Sequence, residues 1–131
     1  LTFFGHENCT THVLGGALGR RSPDLSGQVT CNALRELRLD VAVVGADAVD
    51  TEAGEFYSAE QATAILSRTA QTRADTTYLC VDASKFDRRA IAVAGRLVAV
   101  DVLFTDSDSD SVLRLKQTKK GPEIVRVSTK V

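Results

Sequence analysis

The sequence predicts an α/β fold: a mostly parallel sheet with helices on both faces. Two observations predict it. Short, continuous apolar runs ("DVAVVGAD", "TTYLCVD", "DVLFTD") recur along the chain. Each is too short for a helix, and such runs suit strands covered on both faces. Between them lie segments with helical periodicity, and strands alternating with helices imply right-handed crossovers within one parallel sheet. With 131 residues, 44% hydrophobic and 25% charged, the chain is one domain's worth and buries a core without staples.

The elements follow in order. "THVLGG" reads as a short strand entering a glycine turn, and "GRRSPDLSG" as a polar loop punctuated by Pro23 and Gly27. From Gln28 to Leu39, the apolar positions Val29, Ala33, Leu34 and Leu37 suit one helical face. The strand "DVAVVGAD" comes next, then "TEAGEFY" as a loop. Ser58 with Gln61 makes a capping-box pattern. The helix behind it carries Ala62, Ile65, Leu66, Thr69 and Ala70 at amphipathic spacing. "TTYLCVD" is a strand, and "RRAIAVAGRLVAV" is a short strand with a turn at Gly95. "DVLFTD" is a strand, "SDSVLRLKQTKKG" a helix stopping at Gly121, and "EIVRVST" a last strand.

Composition excludes several function classes. Sixteen Lys and Arg against 17 Asp and Glu leave a net charge of −1, without the basic excess of a nucleic-acid domain. Aromatics make up 5%, too few for stacking platforms. No apolar run approaches about 18 residues, so no membrane span is expected. Of the cysteines, Cys31 and Cys80 read as small buried hydrophobes in a reducing, cytoplasmic setting. The chain lacks methionine and opens on "LTFFGH", which reads as a piece of a longer protein.

Three apolar runs end in aspartate: Asp47, Asp82 and Asp106. In an open parallel sheet, ligands bind outside the carboxyl ends of the strands. Asp106, followed by serines, reads as a helix cap. Near Asp82 comes Lys85, a compact charge suited to phosphate, which the carboxylate would hold in place. In "LGGALGRR", Gly15 and Gly16 allow close backbone approach to an anion, and Arg20 and Arg21 add bidentate donors. A plain turn explains the same glycines equally well.

The order "VLGGALGRRSPDLSG", "ALRELRLDVAVVGADAVD", "GEFYSAEQA", "VDASKFDRRAIAV", "VDVLFTD" resembles the C-terminal effector-sensing domain of DeoR-family bacterial transcriptional regulators. The resemblance spans about Val13 to Asp106, and "GAD" with "D-x-S-K-F" is its most specific part. It implies a three-layer, Rossmann-like fold shared with ribose-5-phosphate isomerase, glucosamine-6-phosphate deaminase and the CoA transferases. It also implies a phosphorylated sugar or related metabolite as effector. Matched position by position, Gly15, Gly16, Asp47 and Lys85 become effector-pocket residues, with Arg20 or Arg21 as the basic position and Glu60 at the start of the following helix. Asp82 joins them as the partner of Lys85. The family glycine after "GAD" is Ala48 here, and the one after "SKF" is Asp87.

The resemblance implies that residues 1–131 form a single sensor domain lacking its first strand or strands. A "D-G-[ST]-T" phosphate loop and an N-terminal helix-turn-helix belong to the family and are not in this sequence. DNA would be bound only through that domain, by a homo-oligomer matching palindromic half-sites. No cofactor is expected. A sugar-phosphate isomerase or deaminase on the same fold is the alternative, with a base near Asp47 or Glu60, and a module that only mediates association is a third.

Other signals are set aside. His6, Cys9 and His12 fall short of a four-ligand zinc set. "DSDSDS" lacks the glycine and glutamate of a calcium loop, with Ser111 and Gln117 at those positions. "KQTKKG" complements a helix dipole. No metal is expected.

Overall fold

A computed structural model of the protein describes residues 6–20 and 23–128. It is a mixed α/β structure whose main sheet is four parallel strands. The chain enters through a small antiparallel arm, β1 (Ala17–Leu18) against β2 (Leu25–Ser26). The expected strand in "THVLGG" is not formed, and pairing begins one residue past the double glycine. Helix α1 (Gln28–Arg35) follows. It buries Thr30, Cys31 and Leu34, while Val29 is 64% exposed. The predicted apolar face is therefore rotated, because the Thr30 hydroxyl is tied to the Gly15 carbonyl at 2.6 Å.

Strands β3 (Leu39–Val44), β6 (Ala74–Cys80), β8 (Val102–Thr105) and β9 (Glu123–Arg126) form the parallel sheet in the order β3-β6-β8-β9. Every neighbouring pair in it is parallel. Three further strands make a separate antiparallel sheet, β4-β5-β7: β4 (Ala48–Asp50), β5 (Glu55–Ser58) and β7 (Ala92–Arg96). This sheet departs from the sequence reading. "TEAGEFY" was expected as loop, yet its end is a strand with Phe56, Tyr57 and Ser58 buried. Gly95, expected as a turn, lies inside β7, where a Cβ would stand 2.3 Å from Cζ of Phe56. A glycine within a strand marks such a close approach.

Helix α2 (Gln61–Arg73) starts where expected, but no side chain caps it. Ser58 instead sits in β5, and its hydroxyl accepts from the Glu60 amide at 3.2 Å. Helix α3 (Asp110–Gln117) crosses from β8 to β9 and ends before Gly121.

The main sheet has two unlike faces. Side chains alternate along a strand, and the register aligns Val44 with Leu79, Leu79 with Leu103, and Leu103 with Ile124. That face packs into one core cluster with Val49, Phe56, Ala64 of α2, Ala94, and Val112 and Leu115 of α3. The opposite face aligns Val43, Tyr78 and Val102, and then Cys80, Phe104 and Val125. There Val41 is 42% and Val43 66% exposed. Cys80, expected to be buried, is exposed, whereas Cys31 is buried as expected. Tyr78 and Phe104 meet edge to face at 5.4 Å between ring centroids. Among the described residues, α2 and α3 thus contribute their core residues to one face.

Candidate functional site

The carboxyl ends of β3, β6 and β8 come together around the turn Gly45–Asp47. Two depressions flank this turn. The first, about 430 Å³, is bounded by Asp24, Asp47 and Glu60, by the hydroxyl residues Ser58, Thr63 and Ser67, and by Gly45 and Ala46. The second, about 550 Å³, shares Gly45 and Ala46 and adds Cys80, Asp82, Lys85, Phe104 and Asp106.

Asp47 is fixed from both sides of its backbone. Its amide donates to the Tyr57 carbonyl at 2.9 Å. Its carboxylate accepts the Ala59 amide at 2.7 Å and the Ser58 hydroxyl at 3.3 Å. The strand β5 that sequence reading missed is therefore what aims Asp47. Asp24 reaches the same depression from the polar loop before β2. Its Oδ2 accepts the Thr63 hydroxyl at 3.1 Å, while its Oδ1 is buried with no hydrogen-bond partner among the described residues. A buried carboxylate oxygen left unpaired is costly, so it is an acceptor in want of a donor.

In the second depression, two aspartates build the short 3-10 turn Ala83–Lys85. Asp82 accepts the Ser84 amide at 2.8 Å and also the Ser84 hydroxyl, and Asp106 accepts the Ala83 amide at 2.7 Å. The Ser84 hydroxyl, then the Ser84 amide, and to a lesser extent the Lys85 charge hold the Asp82 carboxyl below its ordinary 3.8. Asp106 is thus a clamp on a neighbouring loop rather than the cap of α3. Lys85 rides on this turn, half-buried, with no carboxylate within 4.0 Å among the described ion pairs.

The model for the DeoR C-terminal sensor domain matches residues 2–107. The chain belongs to that family. It is 28% identical over 119 residues to the glycerol-3-phosphate regulon repressor of Haemophilus influenzae, covering 88% of this chain and 44% of that protein. It is 27% identical over 110 residues to the repressor of the same name in Escherichia coli, covering 81% of this chain and 42% of the relative. The chain spans less than half the length of these curated relatives.

Within this DeoR sensor domain, the residues singled out from sequence fall into three groups. Asp47 and Glu60 share the first depression, and Asp82 and Lys85 the second. Gly15, Gly16 and Arg20 line neither. Gly15 accepts from Thr30, and Gly16, at φ +150°, packs where a Cβ would stand 1.9 Å from the Thr30 hydroxyl. The double glycine is thus seated on the first turn of α1, and Arg20 is exposed beyond β1. Arg21 lies outside the described residues. Sequence reasoning missed Asp24, Gly45, Ser58 and Thr63. No periodicity or spacing marks Asp24, because it arrives from a loop 39 residues away from its partner Thr63.

The two depressions together are rich in carboxylates. Among the described residues, Asp24, Asp47, Glu60, Asp82 and Asp106 face them with Lys85 as the single cation. The carboxylates of the first depression accept hydrogen bonds from hydroxyl groups. At the Lys85 end, two of the carboxylates are already engaged by backbone amides.

Proposed function

We propose that this chain is the effector-sensing part of a DeoR-type transcriptional repressor, and that its effector is a small phosphorylated polyol or sugar. One observation carries the reading. A carboxylate-lined hollow that suits hydroxyls adjoins, across Gly45–Ala46, a second hollow holding a lysine without an ion-pair partner among the described residues. In this reading, Asp24, Asp47 and Glu60 accept the ligand's hydroxyls, while Lys85, positioned by Asp82, meets the phosphate. The family relationship and the name the two relatives share, glycerol-3-phosphate regulon repressor, support a ligand of this kind.

Five carboxylates against one lysine disfavour a phosphate dianion. In this reading the remaining positive counterpart lies outside the described residues, in a longer chain of the kind the relatives have. The same longer chain would cover the exposed Val41–Val43–Cys80 face and complete a three-layer, Rossmann-like domain. A helix-turn-helix in it would bind DNA, and the repressor would act as a cytoplasmic homo-oligomer. The ligand regulates by binding the DNA-bound and free forms with different affinity.

The protein acts as a sensor and not as an enzyme. Asp47 is held by three protein hydrogen-bonding groups counting its own amide, which suits a fixed acceptor better than a mobile base. Calorimetry on the longer protein with glycerol 3-phosphate, ribose 5-phosphate and glucosamine 6-phosphate tests this. Saturable heat with unchanged ligand afterwards is expected. Conversion of any of them that is lost in Asp47→Asn would favour the isomerase or deaminase reading. Lys85→Ala should weaken the phosphorylated ligand at least tenfold, about 1.4 kcal/mol, and leave the unphosphorylated analogue near its original affinity. Equal losses would take the phosphate away from Lys85.

A further inference from the structure

We propose that Gly45 is a specificity-determining residue, its bare backbone left open so that one elongated ligand lies across the end of β3 from the carboxylate hollow to the lysine hollow. The inference rests on the sensor reading above and deepens it.

Gly45 bounds both of those depressions and also a third, apolar one of about 550 Å³ that includes Leu14, Leu34, Val43 and Leu66. A glycine at such a junction has two ordinary structural explanations. One is a backbone conformation that other residues avoid, but Gly45 is not among the glycines with positive φ. The other is packing too tight for a Cβ. A Cβ built on Gly45 meets only the Cys80 carbonyl, at 3.8 Å, an ordinary contact. Gly16 and Gly95 show the contrast, since a Cβ there would lie 1.9 Å from Thr30 and 2.3 Å from Phe56 respectively. Neither explanation applies to Gly45. A side chain there has open space at the turn that both hollows share, and on this proposal it would divide them.

The ligand class follows. A molecule bridging the saddle presents hydroxyls to Asp24 and Asp47 on one side and its anionic end to Lys85 on the other. A compact anion such as inorganic phosphate reaches only the lysine side. Gly45 therefore separates phosphorylated polyols from phosphate alone.

The test uses the longer protein, with Gly45→Ala and Gly45→Val. Because the conformation suits alanine, Gly45→Ala should melt no lower than the parent, and removal of a glycine from the unfolded ensemble favours a slight rise. Its affinity for the phosphorylated polyol or sugar that the parent binds best should fall at least tenfold, and Gly45→Val should bind none detectably. Binding of inorganic phosphate should change less than twofold in Gly45→Ala. Unchanged polyol-phosphate affinity in both variants, with the parent binding normally, overturns the role of Gly45 and leaves the sensor reading intact. A lowered melting temperature for Gly45→Ala also overturns it, since the glycine would then serve the fold. Absence of binding by the parent to all three phosphorylated ligands counts against the sensor reading itself.

Discussion

Asp87 adopts φ 55°, the left-handed region that most side chains avoid. The family resemblance implies glycine at this position, and the conformation accounts for either residue. Glycine enters this region freely, and aspartate is among the few others that tolerate it. Here its Oδ1 also accepts the Ser111 hydroxyl at 2.6 Å, joining the turn after Phe86 to the first turn of α3. Asp87→Ala should lose about 1–2 kcal/mol through backbone strain and the lost bond. Asp87→Gly should lose less than half of that, because only the bond is gone. Urea denaturation of the two variants checks the order, and an equal loss would mean the strain is absent. Gly16 obeys a stricter rule. At φ +150°, with Ser26 O 2.7 Å from a built Cβ as well as Thr30, it admits no side chain, so its place in the double glycine follows from packing on α1.

At the scale of elements, what the sequence revealed and what it hid divide by physical cause. The parallel strands were readable because a strand buried on at least one face, between helices, leaves an uninterrupted apolar run. Helix α2 was readable from its spacing, though only Ala64 and Thr69 are fully buried. The antiparallel strands β4 and β5 were not. They are three and four residues long, and "AGEFYS" carries Gly54 and Glu55 ahead of its two aromatics. Their pairing depends on β7, more than 30 residues further on, where Gly95 resembled a turn. Half of the site was hidden with them, since β5 supplies the groups that orient Asp47. Gly95 tests whether this sheet is as tightly closed as it looks. Phe56 is completely buried, so it has nowhere to retreat from an added methyl. Gly95→Ala should cost about 1–3 kcal/mol, read as a lower urea midpoint at unchanged slope. A cost below about 0.5 kcal/mol, within the range of ordinary surface substitutions, would show that the ring can shift.

At the scale of the whole molecule, the described residues cover the main sheet on one side only. Purely parallel sheets are found almost exclusively with both faces covered, yet Val41, Val43 and Cys80 are exposed on the face opposite the core. This asymmetry is not legible in the sequence, because both faces of "VAVV" and "TYLCV" are apolar and a run of that kind says only that covering is needed. The relatives are more than twice as long as the stretch matched here, which supports the proposal that a longer chain supplies the cover. Burying a valine side chain is worth about 1.5–3 kcal/mol. Val43→Asp should therefore leave the stability of the 131-residue chain within about 0.5 kcal/mol and cost the longer protein on the order of 3 kcal/mol, since a carboxylate would then be forced under the cover. Cys80 gives a second measure that needs no unfolding. In a Cys9→Ser background, with Cys31 already buried, alkylation of the one remaining exposed thiol should proceed at least tenfold more slowly in the longer protein. If the thiol stays equally reactive there, while in the 131-residue chain it becomes protected as concentration rises, a second copy of the chain covers the face. The open sheet would then be an association surface.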